Sequence, residues 1–430
     1  MPPKLPINPM SDPISDPPDE RRWTSLIHNE AAGGLALALA ALAAMFWANG
    51  PWHSSYASFW RFPVNVAGLN GSVTDLRGWV DQGLMTLFFL VVGEELGREW
   101  REGDFKHMRN ALFPLIGALG GMVGAATIYL ATTIGTDQAK GWGVPMATDI
   151  AFTLGALALL GRAVPSGLRM FLLALAIADD MGSIIMLAAF YPAHIDAIPL
   201  IAAFVLIAAT ALMRRWVSVT APYLLAGAAL WFLLARAGIE AALAGAAVGF
   251  LMPAGKRSDR LWSGLHFTSS FAVLPIFGLA NAGFAIQAGL LSSRNGAAGV
   301  FAGIAAARVA GKLGGILLFC WLAVRLHAAH RPTGVSWLQI AGGSAIAGVG
   351  FTVPLLFARA AFAGHPVALN ASKAGLYVGS LAAFLTGAAI LLLAAKMRNQ
   401  RSQVFEPNRG ASRSRHPRVP SRGLPFTQCK

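Results

Sequence analysis

"LALAIADDMGSIIMLAAF", residues 173–190, sets two adjacent carboxylates, Asp179 and Asp180, in the middle of an apolar run with no other charge in it. A stretch of this length reads as a membrane-crossing helix, because a hydrocarbon core of about 30 Å takes up roughly 20 helical residues. The two acids are then what lipid would reject, and the reading of the whole chain turns on what justifies them.

The rest of the chain agrees with a membrane setting. Its 430 residues are 55% hydrophobic and only 13% charged, outside the range of ordinary soluble domains. About twelve apolar runs of spanning length are legible, starting near residues 31, 79, 111, 143, 168, 197, 219, 239, 267, 299, 336 and 369. The formal charge of +14 would suit nucleic acid only if it were clustered on one face. Instead it alternates from loop to loop. With the N-terminus in the cytoplasm, basic residues gather on the same side: Arg98, Arg101, Lys106 and Arg109, then Arg162 and Arg169, Arg214 and Arg215, Lys256, Arg257 and Arg260, and Arg325 and Arg331. This is the positive-inside pattern of a multi-pass membrane protein, with both termini cytoplasmic.

Residues 1–27 are rich in proline and acid, with no cleavable signal, and read as a disordered segment. Residues 28–395 form the membrane unit. Residues 396–430 read as a disordered basic tail that touches anionic lipid. The two cysteines, Cys320 and Cys429, imply neither a disulfide framework nor a metal site.

Four ionisable groups stand at membrane depth: Asp149, Asp179, Asp180 and Lys312. At about 2.5 to 3.5 kcal/mol for one central charge, four isolated ones would cost on the order of 10 kcal/mol. They must be paired, hydrated or neutralised. Singly, each has a structural reading: Asp149 as a buried helix cap behind Pro145, Lys312 as a snorkelling side chain, the aspartates as a bridge between helices. Lys312 is too deep in "GIAAARVAGKLGGILLFCWLA" to reach an interface comfortably, and the four together point to function.

Two runs are discontinuous. Gly141, Gly143 and Pro145 precede Thr148 and Asp149 in the fourth; Gly342, Gly343, Gly348, Gly350 and Pro354 interrupt the eleventh. Proline and glycine weaken a helix, and unwound backbone survives at this depth only inside protein or beside a wet cavity. Interrupted runs at matching places in two halves point to alternating access. The expected fold is therefore an all-α membrane protein of about twelve transmembrane helices, with inverted repeats formed by helices 3–5 and 10–12 and with discontinuous helices 4 and 11 crossing. Half-helix ends carry partial charge. Asp149 is expected beside paired N-terminal ends and Lys312 beside paired C-terminal ends.

Carboxylates suit hard cations such as Na⁺ and Li⁺, and Thr148 with unwound carbonyls adds neutral oxygens. Burial and a neighbouring like charge favour the protonated acid, while a nearby ammonium favours the ionised one. One site can thus hold protons or a small cation near neutral pH. If the loaded protein changes the side to which it opens and the empty one does not, competition becomes exchange.

Several segments resemble the NhaA family of sodium/proton antiporters: "WVDQGLMTLFFLVVGEELGREW", "VPMATDIAFTLGALALLG", "ALAIADDMGSII", "GLANAG", "GKLGG" and "GVGFTVPLLFA", in order between about residues 28 and 395. The resemblance implies a secondary transporter that expels Na⁺ or Li⁺ in exchange for protons, electrogenically, for sodium and pH homeostasis, with no cofactor beyond the transported ions. It implies Asp179 and Asp180 as ion and proton residues, with Asp180, Asp179 and Thr148 around Na⁺ or Li⁺. Asp149 and Thr148 would support the site, Lys312 would pair with Asp179, and Pro145, Gly348 and Gly350 would form the broken backbone. Asp81, Glu95, Glu99, Glu240 and His266 stand as structural or regulatory positions, Asp81 with a helix-cap reading beside it. A homodimer is implied as well. Departures bear on regulation: Trp262 and Ser263 stand where the family has an acid and a histidine, Glu240 replaces a histidine and Gly97 a lysine. Histidine titrates near physiological pH, so the pH at which exchange switches on is not carried over.

Other classes predict other features. A sodium-coupled symporter needs an added solute pocket with aromatic or arginine groups, a passive cation channel needs a symmetric pore, and an intramembrane enzyme needs a catalytic motif such as GxSxG or HExxH.

Overall fold

In the computed structural model the described residues are 20–64, 73–102, 108–192, 195–217, 219–253, 259–286 and 296–404. Among them no β-strand occurs; a single isolated bridge joins Pro63 to Asp75. The chain runs through α1 (Glu20–Asn49), α2 (His53–Trp60), α3 (Leu76–Trp79), α4 (Met85–Glu102), α5 (Met108–Thr133), α6 (Ile150–Leu160), α7 (Ser166–Phe190), α8 (Ala197–Met213) and α9 (Thr220–Ala237). It continues through α10 (Leu243–Leu251), α11 (Asp259–Thr268), α12 (Leu274–Asn281), α13 (Ala297–Ala306), α14 (Lys312–Arg325), α15 (Trp337–Ile346), α16 (Thr352–Ala361) and α17 (Pro366–Val404). Wide π turns at Val80–Leu84, Ser269–Val273 and Ala307–Gly311 join α3 to α4, α11 to α12 and α13 to α14 into longer rods.

Among the described residues, seven helices are long and apolar enough to cross a membrane, and α6, α8 and α16 are shorter apolar helices. Their outer faces carry large exposed apolar side chains, such as Ile198, Phe204 and Val205 on α8 and Leu381 and Leu385 on α17. Polar groups are buried instead: Asp149, Asp179, Asp180, Arg308 and Lys312 all lie inside. That inversion suits lipid as solvent, and the chain is a multi-pass, all-α membrane protein.

Glycine pairs bring the helices around the site together. Gly120 and Gly124 of α5 face Gly311 and Gly315, and a Cβ on any of the four would collide with the opposing backbone. Two GxxxG ridges thus close on each other as small residues do between membrane helices. The contact fixes α14 against α5 and aims Lys312, whose side chain lies over Gly121, into the protein.

The helical ends depart from the expected boundaries. The helix α1 begins at Glu20 and α17 persists to Val404, because Glu, Arg, Gln and Lys continue a helix readily. Residues 1–19 and 405–430, which hold most of the expected disordered segments, lie outside the described residues. The sixth to eighth runs, hard to separate by eye, resolve as α8, α9 and the short α10.

Candidate ion-binding site

Two breaks in the helices meet at the centre. The chain turns at Val144–Met146, with Pro145 in the turn, and stays unwound until α6 begins; a second unwound stretch separates α15 from α16. The breaks bond to each other. Asp149 N donates to the Val349 carbonyl at 3.1 Å, and the Thr148 hydroxyl donates to the Ala347 carbonyl at 2.7 Å. Asp149 is the N-cap residue of α6 but makes no side-chain bond to that helix. Its Oδ2 instead accepts from the backbone N and hydroxyl of Thr352, at 3.1 and 2.8 Å, at the start of α16. The carboxylate therefore stands at two helix N-termini, where negative charge is favoured.

The helix α7 presents the two acids differently. Lys312 Nζ donates to both oxygens of Asp179 at 2.8 Å and to the Thr148 hydroxyl at 3.0 Å. Thr148 N donates to Asp179 Oδ2 at 2.6 Å. A buried ion pair needs such extra hydrogen bonds to offset desolvation. Lys312 reaches the carbonyl end of α15 only through the Thr148 hydroxyl.

Asp180 is buried too, yet its Oδ1 has no hydrogen-bond partner among the described residues. It lines a cavity of about 40 Å³ together with Asp149, Thr352, Ser269, Ser270, Glu95 and His266, room for water-sized species. A free oxygen on a buried carboxylate, in a small cavity lined by further oxygens, is chemically suited to a proton or a small hard cation.

The comparisons with known proteins bear on this arrangement. The family model described as Na⁺/H⁺ antiporter 1 matches residues 24–391. The Na⁺/H⁺ antiporter NhaA of Yersinia enterocolitica serotype O:8 / biotype 1B is 43% identical over 378 residues, covering 86% of this chain and 96% of that protein. The NhaA of Yersinia pseudotuberculosis serotype O:1b is 42% identical over 377 residues, covering 85% of this chain and 95% of that one. The chain belongs to the Na⁺/H⁺ antiporter 1 family. Membership places it among transporters and not among enzymes.

Other positions of this antiporter-family chain lie at its two ends. Asp81, read with a helix-cap alternative, is a buried partner of Arg359 and accepts from Asn281 Nδ2 at 2.6 Å; Arg359 in turn donates to Asn281 Oδ1 at 2.9 Å. Asp81 and Glu240 line a second cavity of about 240 Å³ with Gln82, Tyr191 and Arg359. Glu240 lies in the turn between α9 and α10, and burial pushes its carboxyl up to about 7, a hydrogen bond with Gln82 opposing the rise. His266 Nε2 is 3.5 Å from Glu95, and Trp262 is buried on the same helix. The side chain of Glu99 lies outside the described residues. A Cβ at Gly97 would collide with the Phe250 carbonyl and with Arg101, so the packing here leaves no room for a larger side chain without a shift of the neighbouring backbone.

Three buried or half-buried cations escaped the sequence reading: Arg308, Arg359 and Lys373. Arg308 is fully buried and donates to the Ala147 carbonyl at 3.3 Å, and Lys373 donates to the Gly283 carbonyl at 3.1 Å. Arg308 had a legible signal, one helical turn before Lys312 in an apolar run. Arg359 looks like the close of a run, and only the fold brings Asp81 to it.

Proposed function

We propose that the chain exchanges cytoplasmic Na⁺ or Li⁺ for external protons by alternating access, electrogenically and without a cofactor, in the bacterial inner membrane. The observation that carries this is the asymmetry of adjacent acids: Asp179 is held by Lys312 and Thr148, while Asp180 keeps an oxygen open to a small cavity. Asp180 is the cation ligand and a proton carrier, and Asp179 a carrier that Lys312 releases when protons or the ion intervene. The names and high coverage of the NhaA relatives support the same chemistry.

The two cavities support access from two sides. Asp81 lines one and Glu95 the other, and they are separated by about 20 Å of one rod at 1.5 Å per residue. We read the Glu95 and His266 end as cytoplasmic, both termini as cytoplasmic, and the broken helices as crossing members of inverted repeats within a bundle of about twelve spans. A homodimer and contact of the basic tail with anionic lipid complete the reading.

Everted membrane vesicles with an imposed pH gradient test it. Added Na⁺ or Li⁺ should dissipate the gradient, without any added solute, and Asp180→Asn should abolish the response. No ion-dependent proton movement at any pH from about 6 to 9, a span bracketing histidine and shifted carboxylates, would sink the proposal.

A further inference from the structure

We infer that the ion pair of Arg359 with Asp81, braced by Asn281, is a latch: it fastens α16, the second half of the broken helix, to the rod of α3 and α4 and keeps the larger cavity shut off from the exchange site. The inference rests on the reading of access from two sides given above.

The two cavities nearly meet. The larger, of about 240 Å³, reaches from Pro192, Gly238 and Ala363, which lie past the ends of α7, α9 and α16, inward to Leu187 and Leu356. On α16, Thr352 lines the smaller cavity and Leu356 the larger, a single turn or about 6 Å of helix apart. On α7, Asp180 lines the smaller and Leu187 the larger. Ser183 stands between them, and residues spaced by three and four share one helix face. It is completely buried, and its hydroxyl has no hydrogen-bond partner among the described residues. Such a group is costly to keep and marks a place that water or an ion reaches in another state. Leu187 and Leu356 are both buried and form the apolar barrier between this place and the larger cavity.

Arg359 holds that barrier in place. It is the one charged residue of α16, and it pairs with Asp81 of the rod while donating to Asn281 Oδ1, at the end of α12, at 2.9 Å. Asn281 Nδ2 donates to Asp81 Oδ1 at 2.6 Å, which closes the triangle. At its inner end α16 is tied through Thr352 to Asp149, so the helix is tethered once at the site and once at the latch. The two ion pairs differ in exposure. Lys312 and Asp179 are sealed at 0% each, whereas the Arg359 side chain is 30% exposed and lines the larger cavity. Parting a sealed pair strands bare charges; water in the cavity receives the guanidinium, so parting this one costs less. Arg359 and Leu356 lie one turn apart on the same face of α16. An outward swing of α16 therefore parts the ion pair and draws Leu356 away from Leu187 in one motion.

The test reads the opening itself. Ser183→Cys is introduced in the full chain, and right-side-out vesicles are treated with a small membrane-impermeant methanethiosulfonate; the parent chain, with its native Cys320 and Cys429, gives the blank. Labelling at the introduced thiol should be slow and should rise roughly fivefold when Arg359→Gln is added, the upper end of what an ion pair open to water contributes. Asp81→Asn breaks the same pair from the other side and should do the same, so the pair is judged even where one variant folds poorly. Arg359→Lys, which keeps a cation for Asp81, should stay near the starting rate. An unchanged rate in either pair-breaking variant that reaches the membrane folded, or an equal rise in Arg359→Lys, would overturn the latch. So would equal labelling of the completely buried Cys320, which signals general loosening. Failure of the exchange reading shows separately, as a wild-type protein that moves no protons on adding Na⁺, and the labelling still judges the pair.

Discussion

Lys312 Nζ lies 2.8 Å from both carboxylate oxygens of Asp179, with each side chain completely shielded from solvent. Next to this pair Asp180 Oδ1 has no hydrogen-bond partner among the described residues. The contrast orders the expected effects of substitution.

Removing one member of a buried pair strands the other, at a cost of about 3–5 kcal/mol. Lys312→Met is therefore expected to lower the melting temperature of the purified protein markedly. The double variant Asp179→Asn/Lys312→Met should recover much of the loss, because no charge is left without its counterpart. A double variant no more stable than Lys312→Met would contradict a pairwise origin.

Asp180→Asn changes a buried carboxylate whose Oδ1 has no hydrogen-bond partner among the described residues. It is expected to abolish exchange, at least 100-fold by the order of 1.4 kcal/mol per factor of ten, while the melting temperature stays level or rises. Sodium should no longer stabilise this variant. Retained sodium-dependent stabilisation would place the ion elsewhere.

Thr352→Val deletes the hydroxyl bond to Asp149 Oδ2 but leaves the backbone bond. A hydrogen bond to a charged group is worth about 1.5–3 kcal/mol, so a clear loss of thermal stability is expected. Thr352→Ser should keep most of it. Equal losses in both would show that the methyl group, and not the hydroxyl, matters.

Glu240 differs in sign from a surface acid. Its folded carboxyl titrates near 7, above the usual value of 4.5, so the folded state holds a proton that the unfolded chain has lost. That preference contributes stability below about pH 4.5 and is lost as pH rises through about 7. Glu240→Gln should therefore melt at a higher temperature than the wild type at pH 8, by about 2–4 °C for roughly 1 kcal/mol, a figure discounted because the side chain is partly exposed. At pH 5 the two should nearly coincide. A gain at pH 5 as large as at pH 8 would assign the effect to something other than titration.

Gly124→Leu is expected to prevent folding, since a Cβ there already meets the Gly311 carbonyl and Gly315. Membrane extraction followed by size-exclusion chromatography checks it: a monodisperse peak at the wild-type position would contradict the close approach of α5 and α14.

Much of this molecule follows from its sequence, for a plain reason. Hydrocarbon admits few polar groups, so composition alone marks the apolar helices, and Asp149, Asp179, Asp180 and Lys312 stand out because lipid penalises them. Glycine and proline at Pro145, Gly348 and Gly350 likewise announce broken helices, since local backbone preference acts within a few residues. What depended on distant segments had no such local mark. Only the tertiary structure joined Asp81 to Arg359 across the chain, gave Asp149 to Thr352 of the other break in place of its own helix, and set Arg308 against Ala147. It also separated the two neighbouring acids, one bound to Lys312 and one open to a cavity. Adjacent residues on a helix point about 100° apart, and which neighbour each meets is decided by how the helices pack, not by the order of the letters.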